Sequence, residues 1–284
     1  MEEKDHFHIH IEGGENPMTL NLKELWRYRD LIVLFTKRTL AMMYKQTVLG
    51  PLWLILRPFL TSVVYAAVFK GVAGLSTDGV PALLFYLTSH ALWNLVASSL
   101  KKNATIFLDN ANILGKVYFP RLTISVSAML TSLFEFLVEL GMIALLLSFY
   151  TVRGEVAPNW TWLWLLPIVL IHVGLLGLGS GVLFSSLTTK YRDLTFIVDF
   201  GISLWMYASP VVYPLSQLNR TGVMYKLMML NPMAMPLELM RFILLGQGTI
   251  TLSIIISSVA ITGLVLIFGI LGFNKVEKSF IDTI

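Results

Sequence analysis

The chain has 284 residues, of which 56% are hydrophobic and only 13% charged, with a mean hydropathy of +0.73 and a net charge of +4. A soluble domain carries about 25% charged residues, so these figures exclude an ordinary water-soluble enzyme and place the chain in a membrane. The absence of cysteine removes disulfides, thiolate zinc sites and cysteine nucleophiles together. The small positive excess reports topology and contact with anionic lipid rather than nucleic acid.

Residues 1–20 are polar and end in turn formers. His6, His8 and His10 alternate with Phe7, Ile9 and Ile11 at the period of a strand. A strand would line the imidazoles along one exposed edge with no further ligand, so a short strand or disordered tail is expected, and no metal site. The first thirty residues lack an apolar core followed by small residues, so the membrane helices are expected to act as their own insertion signals.

Residues 21–50 change character. Leu22, Leu25, Trp26, Leu31, Ile32, Leu34 and Phe35 recur at helical spacing, with Lys23, Arg27, Arg29, Lys37 and Arg38 between them. A basic amphipathic helix with a tryptophan at its edge lies in the headgroup plane. The turn at 44–51 then sends the chain inward.

Residues 51–273 hold six apolar runs: Leu52 to Phe69, Val80 to Leu100, Leu122 to Tyr150, Trp160 to Leu187, Leu194 to Val212 and Thr249 to Phe273. Each has the eighteen or so residues that a hydrocarbon layer of about 30 Å requires. The fold class expected is therefore an all-α integral membrane protein of six transmembrane helices, with residues 274–284 as a cytosolic tail. With the amino terminus inside, sixteen lysines and arginines fall on the cytosolic side and five outside. That bias puts both termini in the cytosol.

Between the second and third runs lies a polar interval of about twenty residues, Lys101 to Arg121. Asn103, Asp109, Asn110, Asn112 and Gly115 favour turns and caps, while Ile106, Phe107, Leu108, Ile113 and Leu114 form a short amphipathic core. The interval fits either a surface-lying helix on which a cytosolic partner pushes or a plain interfacial loop. Residues 207–247 contain Pro210, Pro214, Pro232 and Pro236 yet stay apolar. They are too broken for a spanning helix, so short re-entrant helices and an outer gate are expected.

Glu135 and Glu139 share one face of the third run, Asp199 lies in the fifth and His172 in the fourth. Such groups face a cavity or a partner. Interhelical hydrogen bonding to Ser, Thr or Asn is favoured over a proton relay, since no lysine or arginine is placed near mid-membrane to pair with them and no internal repeat is seen. Aromatic residues at run ends, including Tyr65, Phe69, Trp93 and Tyr207, fit an interfacial belt, and some fit a path for sugars. No phosphate-binding Gly-x-x-x-x-Gly-Lys-Ser/Thr loop, HExxH site or Gly-x-Ser-x-Gly elbow occurs. The chain is expected to be non-catalytic.

Six short stretches then fall together: Leu-Trp-Arg-Tyr-Arg-Asp-Leu-Ile at 25–32, Tyr-Lys-Gln-Thr-Val-Leu-Gly-Pro-Leu-Trp at 44–53, Gly-Lys-Val-Tyr-Phe-Pro-Arg at 115–121, Tyr-Arg-Asp-Leu at 191–194, Trp-Met-Tyr-Ala-Ser-Pro-Val-Val-Tyr-Pro at 205–214 and Asn-Pro-Met at 231–233. In this order and spacing the chain resembles, over residues 20–273, the membrane subunits of type-2 ABC exporters for polysaccharides, which include O-antigen, capsule and teichoic-acid permeases. The resemblance implies a homodimer docked on two copies of a cytosolic nucleotide-binding ATPase, which uses ATP and Mg, with no cofactor on this chain. It implies a lipid-linked polysaccharide, typically on undecaprenyl pyrophosphate, moved across the bacterial inner membrane. A drug or lipid permease of the same type, or an ion-coupled carrier using Glu135, Glu139 and Asp199, is the alternative.

The same resemblance implies roles for residues. Coupling to the ATPase falls to Asp109, Asn110, Ile113, Leu114, Gly115, Lys116, Tyr118, Phe119 and Arg121, with Tyr191, Arg192 and Asp193 in a second contact. Arg27, Arg29, Lys37, Arg38 and Arg57 stand at the substrate entrance, where their charge suits a pyrophosphate. Tyr65, Phe69, Trp93, Tyr207, Pro210, Tyr213, Pro214, Asn231 and Pro232 line the channel or its outer gate.

Overall fold

A computed structural model describes residues 22–281 except positions 46, 115 and 118. The amino-terminal segment with its three histidines, and Gly115 and Tyr118 of the expected coupling set, lie outside the described residues. Among the described residues there are helices and turns and no strand.

The basic amphipathic stretch folds as two helices rather than one, α1 (Leu22–Arg27) and α2 (Arg29–Tyr44), hinged at Tyr28. On α2 the stripe of Ile32 and Phe35 is buried, while Val33, Leu34, Lys37 and Arg38 are exposed, so one face packs on the bundle and the other is left for a different medium. The chain turns through Gly50, whose φ of +51° suits a residue without a Cβ, and enters α3 (Trp53–Tyr65). Pro58 sits inside α3 without an N–H to give. Its own carbonyl is shared by the Ser62 hydroxyl at 2.8 Å. The helix then widens into a π-helical turn over Ala66–Val72.

The centre of the fold is α4 (Ala82–Ala104), which packs against α3 and against four of the later helices. Leu84, Tyr86, Leu87, Ala91, Leu92 and Val96 are wholly buried. Two one-turn helices follow, α5 (Ile106–Asp109) and α6 (Ala111–Leu114), and then the long α7 (Leu122–Val152). A 3-10 segment at Trp160–Leu165 leads into α8 (Leu166–Thr188). The remainder is α9 (Leu194–Tyr207), α10 (Val223–Met229), α11 (Ala234–Leu245) and α12 (Leu252–Ile281).

Among the described residues four stretches are long and apolar enough to cross a bilayer: Gly50–Val72, Leu122–Val152, Trp160–Thr188 and Leu252–Asn274. They match the first, third, fourth and sixth expected spans. The second, α4, is 23 residues long, about 35 Å at 1.5 Å per residue, but Ser, Thr, His90 and Asn94 lower its hydropathy. The fifth differs from the expectation. Its helix ends at Tyr207 after 14 residues, because the Ser-Pro and Tyr-Pro pairs that follow take the backbone out of the helical region. The last helix runs on past 273 into the expected tail.

Small residues bring α8 against α4. A Cβ on Gly177 would stand 2.8 Å from the Cβ of Ser99, and one on Gly181 would stand 2.7 Å from the carbonyl of Leu100. Close backbone approach of this kind holds helices together where lipid removes the hydrophobic drive. Gly181→Val is expected to cost about 1–3 kcal/mol by overpacking. Thermal unfolding of the detergent-solubilised chain should show a lowered Tm, whereas a change at the exposed Gly201 should not.

Candidate functional site

The connector between α4 and α7 is tied to the bundle at several points. The α4 chain end is caught by α8, since the Thr188 hydroxyl donates to the Ala104 carbonyl at 2.5 Å. Ile106 and Phe107 are buried, Phe107 against Phe273 of α12 with ring centres 4.9 Å apart. Further on, Phe119 is buried against Phe35 of α2 at 5.7 Å. Arg121 is buried at the foot of α7, its guanidinium 6.0 Å from the Phe107 ring centre. One apolar cluster therefore joins the connector to α2, α7, α8 and α12.

The sequence left a surface-lying helix and a plain loop open here, and the structure shows two single helical turns. Asn110 is the reason. Its side-chain amide donates to the Ile106 carbonyl at 3.0 Å, taking the acceptor that a continuing helix would give to its own backbone. Asp109, Lys116 and Val117 are exposed, so the connector has an anchored face and a free face. Tyr191, Arg192 and Asp193, in the turn between α8 and α9, are exposed as well.

The buried carboxylates form a ladder between α4 and α7. Asn94 donates to Glu139 at 2.7 Å, Ser98 to Glu135 at 2.9 Å, and Ser132 to Ser98 at 3.0 Å. This is the interhelical bonding expected from the sequence. No cation was expected near mid-membrane to pair with these acids, yet two lysines in the last turn of α4 do so. Lys102 meets Glu135 at 2.9 Å and Lys101 meets Asp199 of α9 at 2.9 Å. The i,i+4 spacing of Asn94, Ser98 and Lys102 puts all three on one face of α4, and Lys102 reaches inward from just beyond the apolar run. Arg57 is also within electrostatic reach of Glu139 and His90. His172 on α8 shares its Nε2 with the hydroxyls of Ser258 (3.0 Å) and Thr262 (3.2 Å) on α12.

At the opposite end of α4 the segment after α9 folds back on the bundle. Helices α10 and α11 are bent by 87° across a short break, as in a broken span or a re-entrant loop. Asn231 orders the break: its amide donates to the Ala208 carbonyl at 2.8 Å and the Ser209 hydroxyl at 2.9 Å. Its oxygen accepts from the Met233 N–H at 2.9 Å and from the Trp205 indole at 3.3 Å. Sequence reasoning missed the strongest feature here, a fully buried ion pair between Arg241 and Glu238 at 2.9 Å. Their i,i+3 spacing in an apolar stretch was the available signal.

The predicted channel residues fall into two places. Tyr65 and Phe69 stack edge-on at 5.5 Å, next to Tyr86 and His90, and Trp93 meets Trp205 at 5.3 Å. Pro210, Pro214 and Asn231 are buried in the folded-back loop, Tyr213 and Pro232 are half-buried, and Tyr207 is exposed. The predicted entrance cations Arg27, Arg29, Lys37, Arg38 and Arg57 are all exposed, spread over α1, α2 and α3. Arg29 lies over the Trp26 ring at 5.8 Å. Among the described residues no group of acids and histidines is arranged to hold a metal.

Comparison with known proteins meets this geometry. The chain is 31% identical to an O-antigen export system permease protein RfbA of Klebsiella pneumoniae, over 93% of this chain and 99% of that one. A second RfbA of the same organism is 29% identical over 89% of this chain and 94% of its own length. An RfbA of Myxococcus xanthus is 29% identical over 75% and 79%. The profile described as "ABC-2 type transporter" matches residues 30–245, which take in α2, the connector, the α4–α7 ladder and the folded-back loop. With its apolar spans, this multi-pass membrane protein belongs to the ABC-2 type transporter family.

Proposed function

We propose that the chain is the permease subunit of an ATP-driven exporter that moves a lipid-linked polysaccharide of the O-antigen kind across the bacterial inner membrane. The observation that carries the reading is end-to-end similarity to O-antigen export permeases, across nearly the whole of both chains. On this reading six helices cross the membrane, both termini face the cytosol, and the subunit works as a homodimer with two copies of a separate ATPase. The connector at 101–121 and the turn at 191–193 receive the ATPase. Exposed Asp109 and Lys116 offer it charge, and the buried Ile106, Phe107 and Phe119 pass its displacement to the helices. The exposed arginines and lysines of α1–α3 meet the anionic headgroup of the carrier lipid. The Pro-rich loop after Tyr207 closes the outer mouth.

The test is a deletion in the native host followed by analysis of lipid-linked glycan. Accumulation on the cytosolic face, reversed by the intact gene, is expected. Undisturbed glycan export would point to a permease for a drug or another lipid. An ion-coupled carrier is tested separately. With ATP maintained, an ionophore that collapses the proton gradient is expected to leave export unchanged, and Glu139→Gln should do the same. Loss of export in both would return the carboxylates to a proton-carrying role.

A further inference from the structure

We propose that Arg241 and Glu238 are the positioning residues of the 208–217 loop, and that through Ser89 they join this loop to α4 as one moving body. The inference rests on the export reading, in which this loop closes the outer mouth.

Both side chains are buried, Arg241 to 2% exposure and Glu238 to 1%. Two desolvated charges are tolerated only when their remaining donors and acceptors are used. Here nearly all of them go to the loop or to α4. The guanidinium donates to the carbonyls of Pro210 (2.6 Å), Val211 (2.9 Å) and Tyr213 (3.4 Å), and twice to the Ser89 hydroxyl at 2.7 and 3.0 Å. The Phe85 ring covers it at 4.2 Å. Glu238 accepts from the Leu215 N–H at 3.1 Å and the Thr249 N–H at 2.7 Å, which fixes the far end of the loop and the entry to α12. At the rim, Ser216 donates to the Asp78 carboxylate at 2.8 Å.

The contacts are to backbone, so they set the path of the chain and not the packing of one side chain. Prolines 210 and 214 leave neighbouring carbonyls without a helical partner, and the guanidinium collects them. Ser89 and Phe85 lie near the start of α4, whose other end carries Lys101 and Lys102 and runs into the connector. One helix of about 35 Å thus touches the connector at one end and the loop at the other. Displacement of the connector reaches the loop through α4, and the loop does not open alone as a flap.

The chain has no cysteine, so a single introduced thiol reports cleanly. Val212→Cys places one in the loop at a buried position, and Val173→Cys places one in the α8 core as a control. The full-length chain in lipid nanodiscs is labelled with a hydrophilic maleimide, so no cargo is needed and failure of the polysaccharide reading would not affect the result. Ser89→Ala, which removes the α4 acceptor without unpairing Glu238, is expected to speed labelling at 212 about tenfold. Labelling at 173 should stay unchanged, and Ser89→Thr should restore protection. Arg241→Gln should exceed Ser89→Ala; if that variant does not accumulate, the Ser89 pair decides. Unchanged labelling at 212, or an equal rise at 173, overturns the proposal.

Discussion

On the export reading proposed above, charge reversal at Lys116 is expected to cut polysaccharide export sharply while the permease stays inserted and the partner ATPase keeps hydrolysing ATP. Lys116 is exposed on the free face of the connector, so Lys116→Glu removes no packing and its effect on folding should be under about 0.5 kcal/mol. On the proposed reading its charge matters at the docking contact with the ATPase. Phe107→Ala attacks the same path from the anchored face. It empties a site of 1% exposure against Phe273 and should cost about 3–5 kcal/mol locally. Both variants should raise ATP hydrolysed per glycan exported, Lys116→Glu by weakening the grip and Phe107→Ala by loosening the lever. Parallel measurement of ATPase activity and surface glycan checks this. Normal export in both variants would remove the connector from the coupling path.

The second large effect separates two adjacent lysines. Lys102→Met leaves Glu135, whose side chain is 9% exposed, as an unpaired buried charge, and is expected to destabilise the α4–α7 contact by about 3–5 kcal/mol. Lys101→Met breaks a pair whose side chains are 62% and 49% exposed, so a loss of at most about 1 kcal/mol is expected. Adding Glu135→Gln to Lys102→Met should recover much of the loss, since the orphaned charge is then gone. Thermal unfolding of the four proteins in detergent reads the difference. Equal effects at positions 101 and 102 would show that burial does not set the worth of these pairs.

The membrane class was legible because hydropathy over twenty residues is a strong signal that few local details can disturb. The long apolar runs from Leu122 to Tyr150 and from Thr249 to Phe273 announced themselves in this way, and the structure has helices at Leu122–Val152 and Leu252–Asn274. What was not legible depends on three-dimensional partners. Lys102 reads as one more positive-inside charge until α7 is beside α4 and Glu135 lies within reach. Arg241 read as one outer cation among five until the loop carbonyls were seen around it. Of the connector's amphipathic residues, Ile106 and Phe107 turn out to be buried against the bundle, a partner that the sequence did not name. The connector's break at Asn110 was missed because a side chain capturing a carbonyl four residues back leaves no trace in hydrophobic period. The α8 glycines leave no mark on hydropathy, though Gly177 and Gly181, four residues apart, stand where α4 presses close.

The account stands on a separate motor pushing through the connector, and a contact map at Lys116 tests it most directly. A photo-activated crosslinker placed at 116 in the full chain, copurified with its cytosolic ATPase and irradiated, should give a covalent product containing that ATPase. The same probe at exposed Met224, in α10 at the other end of the bundle, should give none. An intact complex that crosslinks from 224 and not from 116 would contradict the account.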